Sequence, residues 1–252
     1  MSESVTTRIE GRVGFLEFGS SKANSLTSSL INSISEALLS LDSNPQVKSI
    51  LIKSQGNKVF SAGASLVEMS QLKNIAQTTV FFDNVAQLLL RFRNLTKFVV
   101  MQVQGKVVGG GLGLVAVADY VVAYQHADIK LSELSIGLGP YVIAPAIQRK
   151  IGIAAFNELS IEAHQFKPAP WVLNKGLYNK LVFDKTNLEF ESFEMALRLS
   201  KYSSNALKTL RNLHWKDTEH WDILLKQNAE ITAQLALQQP TQDILKQWKK
   251  SD

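Results

Sequence analysis

The sequence predicts an α/β fold in which short strands and helices alternate for most of the chain and helices alone close it. Three features point this way. Apolar residues alternate at period two in the opening segments, strand-like runs recur between helix-period runs as far as Tyr124 and Leu131, and beyond Tyr141 a single strand signal is left among helical ones. With 252 residues, 45% of them hydrophobic, the chain is long enough to bury a large core.

Val5 to Glu10 and Val13 to Phe18 flank Gly11-Arg12, so the chain opens on a hairpin. Thr27 caps a predicted helix with Leu30, Ile31, Ile34, Ala37, Leu38 and Leu41 at helical spacing, which Asn44-Pro45 ends. Val47 to Lys53 reads as a strand, and VFSAGASLVEM after it as a small-residue elbow between a strand and a helix. Thr78 to Leu95 is a longer helix, and Phe98 to Val103 a buried strand that leads into a glycine cluster. Asp119 to Tyr124, Ile129 to Leu131 and Leu177 to Phe183 are short strands; Ile143 to Lys150, Ile153 to Leu159 and Leu188 to about Trp248 are helical. The expected organisation is a strand-strand-helix core over residues 1–185 and a helical region over 186–252, without a Pro/Ser-rich linker between them.

Composition removes several classes of function. Cysteine is absent, which excludes disulfides, thiolate catalysis and Cys-based metal centres. No apolar run approaches the roughly 20 residues of a membrane span, and the polar start lacks the pattern of a secretory signal, so a cytoplasmic protein is expected. The net charge of +5 is scattered and shows no aromatic-basic interleaving, so no nucleic-acid partner is expected. His214 and His220 are spaced off one helix face, His126 and His164 have no second ligand nearby in sequence, and no metal is expected. No G-x-S-x-G elbow is present.

The segment GKVVGGGLGLVAVADYV, residues 105–121, carries the strongest chemical signal. Consecutive glycines weaken a helix, and a glycine-rich turn into a helix exposes unpaired N–H groups that bind an anion or a developing oxyanion. Two chemistries fit. Gly111-Leu112-Gly113-Leu114-Val115-Ala116, with Glu133 twenty residues past Gly113, satisfies the dinucleotide pattern G-x-G-x-x-A and leaves a nicotinamide- or flavin-dependent oxidoreductase as an alternative. The other is an oxyanion hole for a thioester, its second amide supplied by the small-residue loop Phe60 to Leu66.

FSAGASLVEM (residues 60–69) and GKVVGGGLGLVAVADYVVA with ADIKLSELSIGLGP (105–123 and 127–140) resemble the two signature blocks of the crotonase family of enoyl-CoA hydratases and isomerases. Ala23-Asn24-Ser25-Leu26 before them and Gln148-Arg149-Lys150-Ile151-Gly152 after them extend the resemblance, in order, over roughly residues 8–185. The resemblance implies a crotonase-like (ClpP/crotonase) spiral of ββα turns with a helical C-terminal trimerisation region, giving a homotrimer or a dimer of trimers. It also implies an acyl-CoA ligand and no tightly bound cofactor, coenzyme A arriving as part of the substrate.

Residue by residue, the resemblance places the oxyanion donors on the backbone N–H groups of Ala64 and Gly110. It places Ala62, Ser65 and Leu66 along the adenine and pantetheine of the coenzyme and Gly109, next to Gly110, where room is left for the acyl chain, with Gly113 and Pro140 as further substrate-binding positions. Lys22 is the expected phosphate partner; Arg149 and Lys150 read as solvated surface cations, and Lys226 and Lys246, in the helical tail, are placed to approach a neighbouring subunit's ligand. Hydratases of this family carry two glutamates. Here the first position is Gly113 and the second is Glu133, so one carboxyl group is left as general acid/base, its pKa raised by Leu131, Leu134 and Ile136.

The missing side chain at Gly113 is expected to leave room for a substrate branch. With Gly139 to Pro145 it resembles the methylglutaconyl-CoA hydratase-like branch and the crotonase-like proteins of polyketide β-branching. The implied activity is a lyase that reversibly hydrates a short or branched 2-enoyl-CoA. An isomerase or decarboxylase of the same fold and a non-catalytic binder of CoA thioesters are the alternatives. Phe81, Phe82, Phe92 and Met69 are expected in the core or the acyl pocket, and Trp215, Trp221 and Trp248 at an intersubunit surface.

Overall fold

The structure, a computed structural model, describes residues 3–249. The chain opens on β1 (Ser4–Glu10) and β2 (Val13–Gly19), paired antiparallel around Gly11. Helix α1 (Ser28–Ser43) follows, its first turn capped by Thr27, whose Oγ1 accepts from Leu30 N at 3.1 Å. Next come β3 (Ser49–Ser54), β4 (Val59–Ser61), α2 (Leu66–Met69) and α3 (Ile75–Asn94). Helix α3 starts before the expected Thr78 because Asn74 caps it, accepting from Gln77 N at 3.0 Å. The middle of the chain is β5 (Phe98–Val103), β6 (Lys106–Val108), α4 (Gly110–Ala116), β7 (Tyr120–Tyr124), β8 (Ile129–Lys130) and a 3-10 turn, Glu133–Ile136. It continues through α5 (Ala144–Ile161), α6 (Ala169–Asn174) and β9 (Lys180–Val182) to α7 (Lys185–Ser200), α8 (Ser204–His214), α9 (Trp221–Ala236) and α10 (Gln239–Lys249).

The strands sort into two sheets by their place in each turn of the spiral. The first strand of each turn joins a six-stranded sheet of order β1-β2-β3-β5-β7-β9, and the second joins a three-stranded sheet of order β4-β6-β8. All pairs after the hairpin are parallel. The turn from β5 into β6 passes so close to the preceding turn that a methyl group on Gly105 would lie 2.3 Å from the Lys58 carbonyl oxygen.

Alternation within β5 divides the core. Val99, Met101 and Val103 join the larger apolar cluster with α1 and α3, while Phe98 and Val100 join a second cluster on the other face. Helix α7 builds that second cluster with Leu188, Ala196 and Leu199. The expected division at residue 185 therefore coincides with no break in packing: α7 covers one face of the large sheet, and α9 lies along α3. Trp215 and Trp221 are likewise interior, their rings edge to face at 5.8 Å, and not on a surface; the side chain of Trp248 lies outside the described residues. The two helices expected on either side of residue 152 are both present within α5: Gly152, at φ 76° and ψ 164°, is non-helical and separates them by a kink. Among the described residues no helix is long and apolar enough to cross a membrane.

Candidate active site

Two loops, one from each of two successive turns of the spiral, meet at the end of the small sheet. In the first, Leu26 N donates to Gly63 O at 2.8 Å and Ser65 N donates to Leu26 O at 2.9 Å, so residue 64 forms an isolated parallel bridge with residue 26. In such a bridge the groups of residues 63 and 65 face Leu26, which turns the Ala64 N–H the other way. The loop is fixed from below. Ser61 Oγ accepts from Gly63 N at 3.2 Å and donates to Asn24 O at 2.9 Å, and Asn24 Nδ2 donates to Gln55 O and Val59 O. Gly63 holds φ 83°, a left-handed value that favours glycine.

The second loop is the start of α4. Gly109, at φ 51°, donates to Lys130 O at 2.9 Å, and the helix begins at the next residue. A methyl group on Gly63 would sit 2.9 Å from Gly110 N, and one on Gly110 would sit 3.2 Å from Ala64 N. The two amides are therefore neighbours, and among the described residues neither has an acceptor. Two adjacent, fixed and unpaired N–H groups are what a thioester oxygen needs as it gains charge.

The remainder of the glycine run does something else. A methyl group on Gly111 would meet Ser61 Cβ at 2.9 Å, and one on Gly113 would meet Ile143 Cγ2 at 2.5 Å. These two glycines admit neighbouring side chains to the surface of α4. Two sequence expectations fall with this finding. The space beside Gly113 is filled by Ile143, so Gly113 opens no room for a substrate branch and does not line the cavity. Gly111 and Gly113 are buried inside the helix, so the G-x-G-x-x-A pattern presents no backbone to a pyrophosphate.

Glu133 opens the 3-10 turn, which ends at Gly137 with φ 78°. Leu138 N donates back to Glu133 O at 2.9 Å, and Thr241 of α10 donates its hydroxyl to Gly137 O at 3.0 Å. The turn directs the carboxyl group inward. Glu133 Oε1 lies 3.0 Å from where a methyl group on Gly109 would be, one residue from the Gly110 amide. Oε2 is enclosed and has no hydrogen-bond partner among the described residues. Burial pushes this carboxyl from its ordinary 4.5 up to about 7, against the opposing effect of its own backbone N–H.

A cavity of about 500 Å³ connects these parts. Its apolar wall is formed by Met69, Phe82, Val85, Leu138, Val142 and Ile143. Of the residues singled out in the sequence, Lys22, Ala62, Ala64, Ser65, Leu66, Gly109, Gly110, Glu133 and Pro140 all line it. Phe81 and Phe92 are core residues. Lys226, Lys246, Arg149 and Lys150 are not among the lining residues; Arg149 stacks over Trp215 at 4.1 Å and Lys246 pairs with Asp243 at 2.9 Å. Sequence reasoning missed Lys130, Ser132 and Thr232 on the wall. Ser132 and Lys130 sit within the second block, whereas Thr232 comes from α9, far along the chain and without a local signal.

The enoyl-CoA hydratase/isomerase family model matches residues 8–247, and the chain belongs to that family. A Bacillus subtilis protein described as a probable enoyl-CoA hydratase is 26% identical over 213 residues, covering 83% of this chain and 81% of its own length. Carnitinyl-CoA dehydratase of Escherichia coli K12 is 25% identical over 228 residues, covering 87% and 83%. Among solved structures, an enoyl-CoA hydratase from Bacillus halodurans superposes with a TM-score of 0.88 over 96% of this chain and 99% of its own, at 19% identity. Human mitochondrial delta3-delta2-enoyl-CoA isomerase does so at 0.87 over 98% and 97%, at 17% identity. The spiral architecture is thus the crotonase fold.

Proposed function

We propose that this chain catalyses the reversible hydration of a short or branched 2-enoyl-CoA. The observation that carries the reading is the unpartnered, enclosed carboxyl oxygen of Glu133 beside two adjacent free amides. The thioester carbonyl oxygen accepts from Ala64 N and Gly110 N. Glu133, as carboxylate, takes a proton from water while the water oxygen bonds to the β-carbon and the double-bond electrons move onto the α-carbon and the carbonyl oxygen. Glu133 then returns that proton to the α-carbon, so the net change is addition of one water molecule. The apolar wall lowers the local dielectric and strengthens both amide hydrogen bonds.

The coenzyme portion runs along Ala62, Ser65 and Leu66 toward Lys22 and Lys130 at the cavity wall, and no separate cofactor enters the scheme. The names of the curated relatives, a hydratase and a dehydratase, support addition and removal of water. A glutaconyl-type acyl group rests on the sequence pattern alone, since no space opens beside Gly113. We infer a homotrimer or dimer of trimers, supported by the exposed apolar side chains of Ile153 and Ile161 on α5, Leu213 on α8 and Ile223 on α9.

One observation favours a second reading. Glu133 is the single carboxylate on the cavity wall among the described residues. An isomerase that moves one proton between the α- and γ-carbons needs no more than that. The test is a substrate panel: crotonyl-CoA and 3-methylglutaconyl-CoA followed by loss of enoyl-thioester absorbance, a 3-enoyl-CoA followed by its gain, and carbon dioxide release from a glutaconyl thioester. Loss of absorbance with the hydrated thioester as product is the expected result. Gain with the 3-enoyl substrate alone identifies an isomerase, carbon dioxide release a decarboxylase, and binding without turnover a CoA-thioester binder.

A further inference from the structure

Hydration asks more of a site than proton transfer at carbon does. The attacking water must be held by two groups, one that takes its proton and one that fixes the direction of its lone pair. With Gly113 sealed under Ile143, no second carboxyl group supplies that hold. Three other hydroxyl groups of the wall already hold one hydrogen bond to the backbone, which fixes where each oxygen points. Ser135 Oγ donates to Ser132 O at 2.6 Å, Thr232 Oγ1 donates to Asn228 O at 2.7 Å, and Ser65 Oγ accepts from Glu68 N at 3.2 Å. Ser25 adjoins Leu26, the residue bridged to Ala64 of the first loop, whereas Glu133 and Ser132 lie against Gly109 of the second.

Ser132 is the exception. It stands at the N-cap of the 3-10 turn, a position where a serine hydroxyl ordinarily accepts from the first turn's amides, yet it makes no capping hydrogen bond. Its Oγ instead faces Gly109, 3.5 Å from where a methyl group on that residue would be, while Glu133 Oε1 lies 3.0 Å from the same point. The hydroxyl and the carboxyl group thus converge on one spot of the cavity wall, next to the Gly110 amide.

We propose that Ser132 is the second holder of the attacking water, its Oγ accepting the hydrogen bond of the proton that is not transferred while Glu133 accepts the one that is. This deepens the hydratase reading and rests on it. In the step itself Ser132 neither gains nor loses a proton. It therefore bears on addition of water, and not on exchange of α-protons, which needs only Glu133 and the two amides.

The experiment compares the wild type, Ser132→Ala and Ser132→Thr in two reactions: hydration of crotonyl-CoA, and exchange of the α-protons of butyryl-CoA in deuterated water. Ser132→Ala is expected to lose about tenfold in hydration kcat, the equivalent of one hydrogen bond, with KM within about twofold and exchange unchanged. Ser132→Thr, which keeps the hydroxyl, is expected to recover most of the loss. Unchanged hydration in Ser132→Ala overturns the proposal, and so does a parallel fall in both reactions, which marks a purely structural role. A wild type that exchanges α-protons but hydrates no enoyl-CoA overturns the hydratase reading itself, and this proposal with it.

Discussion

Two carboxyl groups, Glu133 and Asp119, are enclosed near opposite ends of α4, and the protein treats them in opposite ways. Asp119 is fully engaged: Oδ2 accepts from Val99 N at 2.8 Å and Arg211 Nε at 3.1 Å, and Oδ1 accepts from Trp215 Nε1 at 3.3 Å. Its Arg211 partner, 1% exposed, also donates to Phe92 O, Arg93 O and Leu95 O at the end of α3, where a cation meets the negative end of the helix dipole. Glu133 has an enclosed oxygen with no partner and a carboxyl raised to about 7. A buried charge is tolerated when it is paired and hydrogen-bonded, and otherwise the group is driven toward its neutral form. Residue type and burial therefore do not separate these two carboxyl groups; the partners do.

The comparison breaks most severely at Arg211. Arg211→Met leaves Asp119 buried beside an apolar side chain and the α3 carbonyls unpaired, an expected loss of about 3 to 5 kcal/mol of folding stability. Urea unfolding measures it. In the fraction that stays folded, the pH profile of turnover should match the wild type, because this hub does not touch the cavity. A shifted profile would mean that the two ends of α4 are electrically coupled and the contrast is wrong.

Glu133→Gln tests the other end. Loss of a general acid/base is expected to lower kcat by about 10³-fold while acyl-CoA affinity is kept, as measured by calorimetry. In the wild type, kcat/KM for hydration should fall about tenfold per pH unit below the carboxyl's value of about 7, since the reaction starts from the carboxylate. Stability should move the opposite way. Below the ordinary value of 4.5 both folded and unfolded chains hold the proton, and Glu133→Gln changes little. As the pH rises to about 7, the unfolded chain ionises while the folded one does not. Above 7 the wild type has therefore lost on the order of 3 kcal/mol that Glu133→Gln retains. A variant that is less active and more stable at alkaline pH marks a strained reactive group; one that is less active and less stable marks a structural one.

The sequence made much of this legible because its signals are local. The hairpin, the Thr27 cap and the β5 run follow from alternation and capping within a few residues. The two loops that bring the Ala64 and Gly110 amides together coincide with small-residue stretches, where backbone can approach backbone. Spatial relations were illegible. Nothing near residue 113 announces that Ile143, from the start of α5, comes down on it. Nothing in α8 separates the buried Arg211 from the exposed cations of a helix with an otherwise ordinary amphipathic pattern. The helices after residue 185 read as a region of their own because their apolar faces match a sheet that is distant in sequence, and only the fold shows α7 closing the core. Ser132 was visible as a residue but not as a free hydroxyl, since an N-cap serine is normally used by the turn it begins.

The smallest expected effect concerns the glycine that misled the sequence reading. If Gly113 is there to admit Ile143, an added methyl group meets Ile143 Cγ2 at 2.5 Å and Ile143 Cβ at 3.0 Å, and either the side chain or α4 must shift. Gly113→Ala should therefore cost about 1 to 3 kcal/mol by overpacking, although alanine is the better helix former by about 1 kcal/mol. Denaturant unfolding of the double-mutant cycle with Ile143→Ala separates the two terms. Once Ile143 is cut back, the same Gly113→Ala change should be neutral or stabilising, because only the helix preference is left. Equal penalties in both backgrounds would show that the glycine answers to something other than Ile143. Ile143 also lines the cavity, so an overpacked α4 should reach the acyl group through this one side chain, raising KM more than it lowers kcat.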